Sequence, residues 1–259
     1  MDTILLAALV ALGLFFGILV FLEVGRRLGE RRVADDPEGA RNGIGAVEGA
    51  IFGLVGLLIA FTFSGGANRF DERRALVVQE TNAIGTAYLR LDLLPEGAQP
   101  ALRDLFRRYL DARIAAYRRL PDFDAAKAKL QESIRLQNAI WSRALAAGKS
   151  EGAAPDAVKL LLPALNEMID ITTTRTTAAA LHPPMVIYLM LVLLTLAAAL
   201  MAGYGMAGAK RRSWTHMLAF ALVMSLAVYV IVDLEYPRLG LIRVDAFDRT
   251  LADLRADIG

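Results

Sequence analysis

The chain has 259 residues, of which 56% are hydrophobic and 22% charged, with a formal net charge of +2 and a mean hydropathy of +0.43. Its apolar residues are gathered into blocks, which places it among membrane proteins before any motif is considered. The arginines are spread along helices without lysine clusters or interleaved aromatics, which argues against nucleic acid as a partner, and the absence of cysteine excludes disulfides, thiolate metal sites and cysteine nucleophiles.

The first apolar run, Ile4 to Leu22, has no basic segment before it and no small-residue cleavage site after it, so it is expected to stay as a transmembrane helix. Glu23 to Asn42 carries Arg26, Arg27, Arg31, Arg32 and Arg41 among acidic residues and closes on Asp36-Pro37-Glu38-Gly39, the pattern of a short polar turn. A second run from Gly43 to Phe63, about 20 residues long, is again enough to cross a bilayer. In it Gly45, Gly49 and Gly53 fall four apart on one helix face, which Gly56, Ala60 and Ser64 prolong. In water each such glycine weakens a helix by up to about 1 kcal/mol; in lipid it admits a neighbouring backbone. The stripe therefore predicts either a tightly packed helix or one that lines a pore.

Gly65-Gly66 follows, and Leu76, Ile84 and Leu91 recur at helical spacing as far as Leu94 before Pro95-Glu96-Gly97 breaks the pattern. Ala101 to Leu120 is amphipathic, with Leu102, Leu105, Phe106, Tyr109, Ile114 and Tyr117 as its apolar set. Arg103, Arg107, Arg108, Arg113, Arg118 and Arg119 fill much of the remainder. Asp124 to Ala147 is a further helix with Leu130, Ile134, Ala139, Ile140 and Trp141 as candidate core, and Gly148 to Pro155 is a linker. The helix predicted from Ala157 to about Leu181 carries Pro163 early and a threonine run, Thr172 to Thr177, interrupted by Arg175. A third span at about Met185–Met206 and a fourth at about His216–Val232 are separated by Lys210-Arg211-Arg212, and the tail ends in a short amphipathic helix, Ala246 to Ala256. The expected fold is an all-α membrane protein: four transmembrane helices with a helical soluble domain inserted between the second and third. The segments are 1–64, 65–182, 183–235 and 236–259.

Sidedness follows from lysine and arginine near the span ends. The two short loops hold five and three, and the other side holds Arg69, Arg73, Arg74, Arg175, Arg238, Arg243, Arg249 and Arg255, which is a tie. Short loops weigh more, and on density they are expected to be cytoplasmic, in a cell inner membrane. Glu48, about one turn inside the second span, is either interfacial or an ion-facing ring in an oligomer, and Thr173 and Thr177 are candidate vestibule residues if they are not simply solvated. By topology Arg69, Arg73 and Arg74 share a membrane boundary with Asp233 and Glu235, which predicts ion pairs among them. His182 and His216 precede different spans at opposite faces, so they cannot share a metal ion. No phosphate loop, serine elbow or paired metal motif is present, and no cofactor, metal or catalytic residue is assigned.

Phe61-Thr62-Phe63-Ser64-Gly65-Gly66-Ala67-Asn68-Arg69-Phe70-Asp71-Glu72-Arg73-Arg74 resembles the second-helix signature of bacterial bestrophins, with Phe61, Arg69, Phe70, Glu72 and Arg74 matching at the same spacing. The stretch on to Pro95, and the tail Pro237-Arg238-Leu239-Gly240-Leu241-Ile242-Arg243-Val244, are similar to a family of bacterial proteins described as bestrophin-like. Bestrophins are pentameric channels, mostly anion-selective, whose second helix lines a narrow apolar neck. The resemblance therefore implies that Phe61 is a neck residue, with Leu57 and Gly53 one and two turns before it. It also implies the signature at the cytoplasmic end, opposite to the side favoured by short-loop charge. The function expected is a homo-oligomeric ion channel, a pentamer by resemblance. The alternative is a non-conducting membrane scaffold or accessory subunit whose helical domain binds a protein partner.

Overall fold

The computed structural model describes residues 3–35, 44–208, 212–238 and 240–259, with side chains for all of these except 3–7, 44 and 245–247. Among the described residues the regular structure is helical throughout: α1 (Thr3–Asp35), α2 (Ile44–Leu89), α3 (Gln99–Arg118), α4 (Phe123–Gly148), α5 (Ala157–Ala180), α6 (Met185–Gly205), α7 (Trp214–Glu235) and α8 (Asp245–Asp257). Among the described residues, four helical stretches are long and apolar enough to cross a membrane: Ala8–Asp35, Gly45–Leu93, Ala157–Gly208, which takes in α5 and α6, and Trp214–Glu235. The chain forms two compact units, one made of Met1–Asn68 with His182–Tyr236 and the other of Arg69–Leu181 with Pro237–Gly259.

In the first unit α1 packs on α6 and α7 around Leu14, Ile18, Leu22, Leu191, Ala199, Met217, Ala221, Val228 and Ile231, with Leu58 and Ile59 of α2 against this core. The tightest crossing is between α1 and α6. A Cβ added to Gly25 would stand 1.9 Å from the Leu200 carbonyl oxygen, and one added to Gly203 would stand 2.0 Å from that of Leu22. Only glycine permits backbones this close, which is the small-residue contact of helices in lipid.

The polar turn expected from Glu23 to Asn42 is helix as far as Asp35. Its charges alternate at i,i+4 spacing, and that is what sustains the helix: Arg27 Nε lies 2.8 Å from Glu23 Oε1 and Arg26 Nη2 2.7 Å from Glu30 Oε1. The Asp36-Pro37-Glu38-Gly39 turn, Arg41, Lys210 and Arg211 lie outside the described residues.

The second unit packs the later turns of α2 with α3, α4, α5 and α8 around Ile84, Leu91, Leu102, Phe106, Tyr109, Leu110, Ile140, Leu161, Leu165, Met168 and Leu251. The Asp122 carboxylate caps α4 by accepting from Ala125 N at 3.0 Å. Arg73 closes the end of α5, donating to the Ala178 oxygen at 3.2 Å and the Leu181 oxygen at 2.9 Å, where a cation also favours the helix dipole. Ile134, a core candidate by sequence, is 51% exposed. On α4 the buried register runs Ala126, Ser133, Gln137, Ile140 and Ala144, so two polar residues occupy the inner face and Ile134 lies off it.

Candidate functional site

The apolar half of α2 is packed on one side only. At about 100° per residue, Glu48, Phe52, Val55, Ile59, Thr62 and Gly66 fall on one face, and these are the residues that meet the rest of the unit. Val55 is 2% exposed, Phe52 stands edge-on to Phe220 with centroids 6.5 Å apart, and Gly66 faces Leu234. Gly53, Leu57 and Phe61 lie roughly 140–220° around the helix from Glu48. Leu57 is 51% exposed and Phe61 68%.

The glycine stripe runs along the flank between these two faces, with Gly45, Gly49, Gly53 and Gly56 roughly 60–140° around the helix from Glu48. A Cβ built on Gly45, Gly49, Gly53 or Gly56 would meet nothing within 4 Å. Among the described residues, the glycines of the expected packing face therefore meet no other helix. The close glycine contact within the chain is made by Gly25, Gly29 and Gly203, because α2 packs inward through larger side chains, Phe52, Val55 and Ile59.

Glu48 turns the other way, against Gly205, whose added Cβ would stand 3.0 Å from Glu48 Oε1, and that oxygen is buried without a hydrogen-bond partner among the described residues. Glu48 and the stripe of Gly53, Leu57 and Phe61 thus occupy opposite faces of one helix. Thr173 and Thr177 are exposed, whereas Thr172 and Arg175 of the same run are buried. In the second unit Arg74 Nη1 lies 2.9 Å from Asp71 Oδ1 and its guanidinium sits over the Phe70 ring. In the first unit His182 Nδ1 is 3.7 Å from Glu235 Oε2 and its ring stacks on Tyr236. Among the described residues no three histidine, aspartate or glutamate side chains gather to hold a metal ion.

Sequence reasoning missed a buried charge network in the second unit. Glu80 of α2 accepts from Arg113 Nε of α3 at 2.5 Å and from Arg175 Nη1 of α5 at 2.5 Å; the Glu80 and Arg113 side chains are fully buried. Arg175 also reaches Asp248 Oδ1 of α8 at 3.0 Å, and Arg238 holds both oxygens of that carboxylate at 2.5 and 2.9 Å. Arg113, Arg175 and Arg238 all stack on the Tyr117 ring. Burial works against the Arg113 charge, but Tyr117 and Glu80 outweigh it and hold its pKa above the usual guanidinium range. Burial pushes the Tyr109 hydroxyl up to about 12 against the opposing charge of Arg113. That hydroxyl accepts from Gln137 Nε2 at 3.1 Å and lies 3.2 Å from Thr172 Oγ1.

The signal for this network was present in the spacing. Arg113 continues the 4,3 register Leu102, Phe106, Tyr109; Arg175 continues Leu161, Leu165, Met168, Thr172; Glu80 sits between Val77 and Ile84 in the same register on α2. Charges at core positions of three helices are a reciprocal pattern, because each needs a partner on another helix.

A family model, the bestrophin-like domain, matches residues 14–246. The chain belongs to the bestrophin-like family. Among solved structures, mutants of a bacterial bestrophin homologue from Klebsiella pneumoniae share its fold. One superposes with a TM-score of 0.70 at 14% identity, covering 94% of this chain and 99% of the other. Another gives 0.65 at 14%, covering 95% and 98%. A structure described as a membrane protein mutant gives 0.66 at 13%, over 95% of this chain and 98% of the other. No curated protein matches the chain. This bestrophin-like chain thus keeps the whole architecture at an identity where few side chains are shared. Its own residues must therefore carry any functional argument.

Proposed function

We propose that several copies of this chain assemble in the bacterial inner membrane into an ion-conducting pore lined by the outer face of α2, with Phe61 at the constriction and Leu57 and Gly53 before it. The observation that carries this reading is the one-sided burial of α2. An apolar face turned to lipid needs no partner, but a face built of Gly45, Gly49, Gly53 and Gly56 costs helix stability of up to about 1 kcal/mol per residue and offers lipid nothing in return. Close approach of a second copy is what such a stripe supports.

A ring of Phe61 side chains would gate by excluding water from an apolar constriction. Glu48, facing its own α6, is then a structural carboxylate and not a pore ring. The family resemblance supports a pentamer, and it supports, against the short-loop charge density, a signature around Arg69 to Arg74 at the cytoplasmic end with the helical domain from Arg69 to Leu181 as a soluble insertion on that side.

The test is ion flux in proteoliposomes. Phe61→Ala should raise flux, because the removed ring narrows the pore and supports nothing in the chain's own core. Phe52→Ala, on the packed face, should leave flux per folded protein near wild type. Equal background flux from wild type and Phe61→Ala would reject conduction and favour a scaffold that binds a protein partner through the helical domain.

A further inference from the structure

The second unit contains a cavity of about 330 Å³ between the end of α3 and α8, lined by Ile114, Tyr117, Leu120, Leu251, four arginines (Arg118, Arg238, Arg243, Arg249) and one carboxylate, Asp248. The volume lies at the lower end of the range for small-molecule sites. Its two walls differ in chemistry. Ile114, Leu120 and Leu251 are apolar, and Leu251 is fully buried in the unit's core. The opposite wall is cationic, and its one acid is already committed: Asp248 is gripped on both oxygens by Arg238 and on Oδ1 by Arg175 as well. Asp248 therefore has no remaining charge to offer the rim. Arg118 and Arg249 are exposed and have no carboxylate partner among the described residues.

The floor is fixed. Tyr117 is held by the guanidiniums of Arg113, Arg175 and Arg238, and its hydroxyl accepts from Arg113 Nη2 at 2.8 Å. Behind it the Glu80 carboxylate ties Arg113 and Arg175 in place. Arg118 and Arg249 thus project from a base whose own charges are already paired, so a ligand anion need not break any described internal bond to reach these two. A pocket of this kind, with forked donors on one side and an apolar wall on the other, matches a phosphate ester, whose oxygens take parallel bonds from guanidinium while its organic part covers the wall.

We propose that this cavity binds the phosphate group of a phosphomonoester, with Arg118 and Arg249 as its principal ligands and the half-buried Ile114 and Leu120 receiving the organic part. The site is independent of whether α2 conducts. The same chemistry occurs in a soluble phosphorylated metabolite and in a lipid headgroup, and the test separates these sources.

Full-length protein in a non-ionic detergent is titrated by calorimetry with adenosine monophosphate, with dioctanoyl phosphatidic acid, and with sodium chloride at matched ionic strength. Saturable binding of at least one phosphomonoester is expected, with no heat of binding from chloride. The nucleotide alone binding identifies a soluble metabolite, and the lipid alone binding identifies a headgroup. The double variant Arg118→Ala/Arg249→Ala should weaken binding by about tenfold or more, with an unchanged melting midpoint because both side chains are exposed. Arg108→Ala/Arg135→Ala, which removes the same charge from exposed positions outside the cavity, should bind as wild type. Absence of binding by both phosphomonoesters overturns the proposal. So does an equal loss in the two double variants, which would mean diffuse attraction to a basic surface.

Discussion

The two sets of glycines allow one experiment to separate the folding of the chain from its assembly. Gly25→Ala places a Cβ 1.9 Å from the Leu200 carbonyl oxygen, so α1 and α6 must part by roughly 1.5 Å before an ordinary contact distance of about 3.5 Å is regained. The obstacle is backbone and cannot swing aside, which puts the cost near the top of the overpacking range, about 3 kcal/mol. The better helix propensity of alanine returns about 1 kcal/mol. The net loss of about 2 kcal/mol corresponds to a fall in melting midpoint of roughly 4–8 °C for a chain of this size. Gly53→Ala meets nothing within 4 Å and should not lower the midpoint of the dissociated chain at all.

Fluorescence melts of detergent-purified protein read the first effect, and light scattering on a sizing column reads assembly. Gly53→Leu should reduce oligomer size while the melt of the single chain stays intact. A Gly25→Ala protein that melts with wild type would show that the α1–α6 crossing is looser than its backbone contacts say. A Gly53→Leu protein with wild-type oligomer size and flux would place the stripe against lipid.

Two further outcomes follow from the charged core. Glu80→Gln leaves Arg113 and Arg175 buried without their shared carboxylate, and breaking a buried pair by removing one partner costs about 3–5 kcal/mol; an unchanged melt would show that the network is not buried in solution. Tyr109 has its pKa raised to about 12 in the folded chain against 10.0 for the unfolded one, so the hydroxyl's contribution is complete below pH 10 and disappears as pH rises toward 12. That contribution is on the order of 3 kcal/mol, and Tyr109→Phe should abolish the part of the alkaline destabilisation that falls in this window; a variant with the full wild-type loss there would refute the assignment.

The helices were legible because their evidence is local. Apolar runs of membrane length, the Pro95-Glu96-Gly97 break and the linker before Pro155 each announce themselves within a few residues. What escaped depends on pairs far apart in sequence. Glu23 to Asp35 reads as a polar turn when its charges are counted singly, and as helix once Glu23 is matched to Arg27 and Arg26 to Glu30. Arg113 reads as one more solvated arginine among six on its helix. Its place in the 4,3 register matters only when Glu80, 33 residues earlier, is seen to need a partner. Thr172, Thr173, Arg175 and Thr177 read as one run in the sequence, although the helical period sends Thr172 and Arg175 inward and Thr173 and Thr177 outward.

The glycine stripe shows a different kind of limit. Spacing identifies a face on which a backbone can come close, but it does not say whose backbone, and on α2 no described residue stands within 4 Å of a Cβ added to Gly45, Gly49, Gly53 or Gly56. In water the question hardly arises, because an exposed apolar face signals a missing partner. In a bilayer lipid covers leucine and phenylalanine as well as a neighbouring helix does, so the exposure of Leu57 and Phe61 alone decides nothing. Glycine breaks the tie. A lipid-facing helix gains from every side chain it carries and loses backbone order at each glycine, so selection for lipid contact alone would remove Gly45, Gly49, Gly53 and Gly56. Four glycines on the unpacked side of the one helix that also carries the bestrophin signature, while the chain's own close crossing is made elsewhere by Gly25 and Gly203, are the arrangement required if α2 meets its own copies.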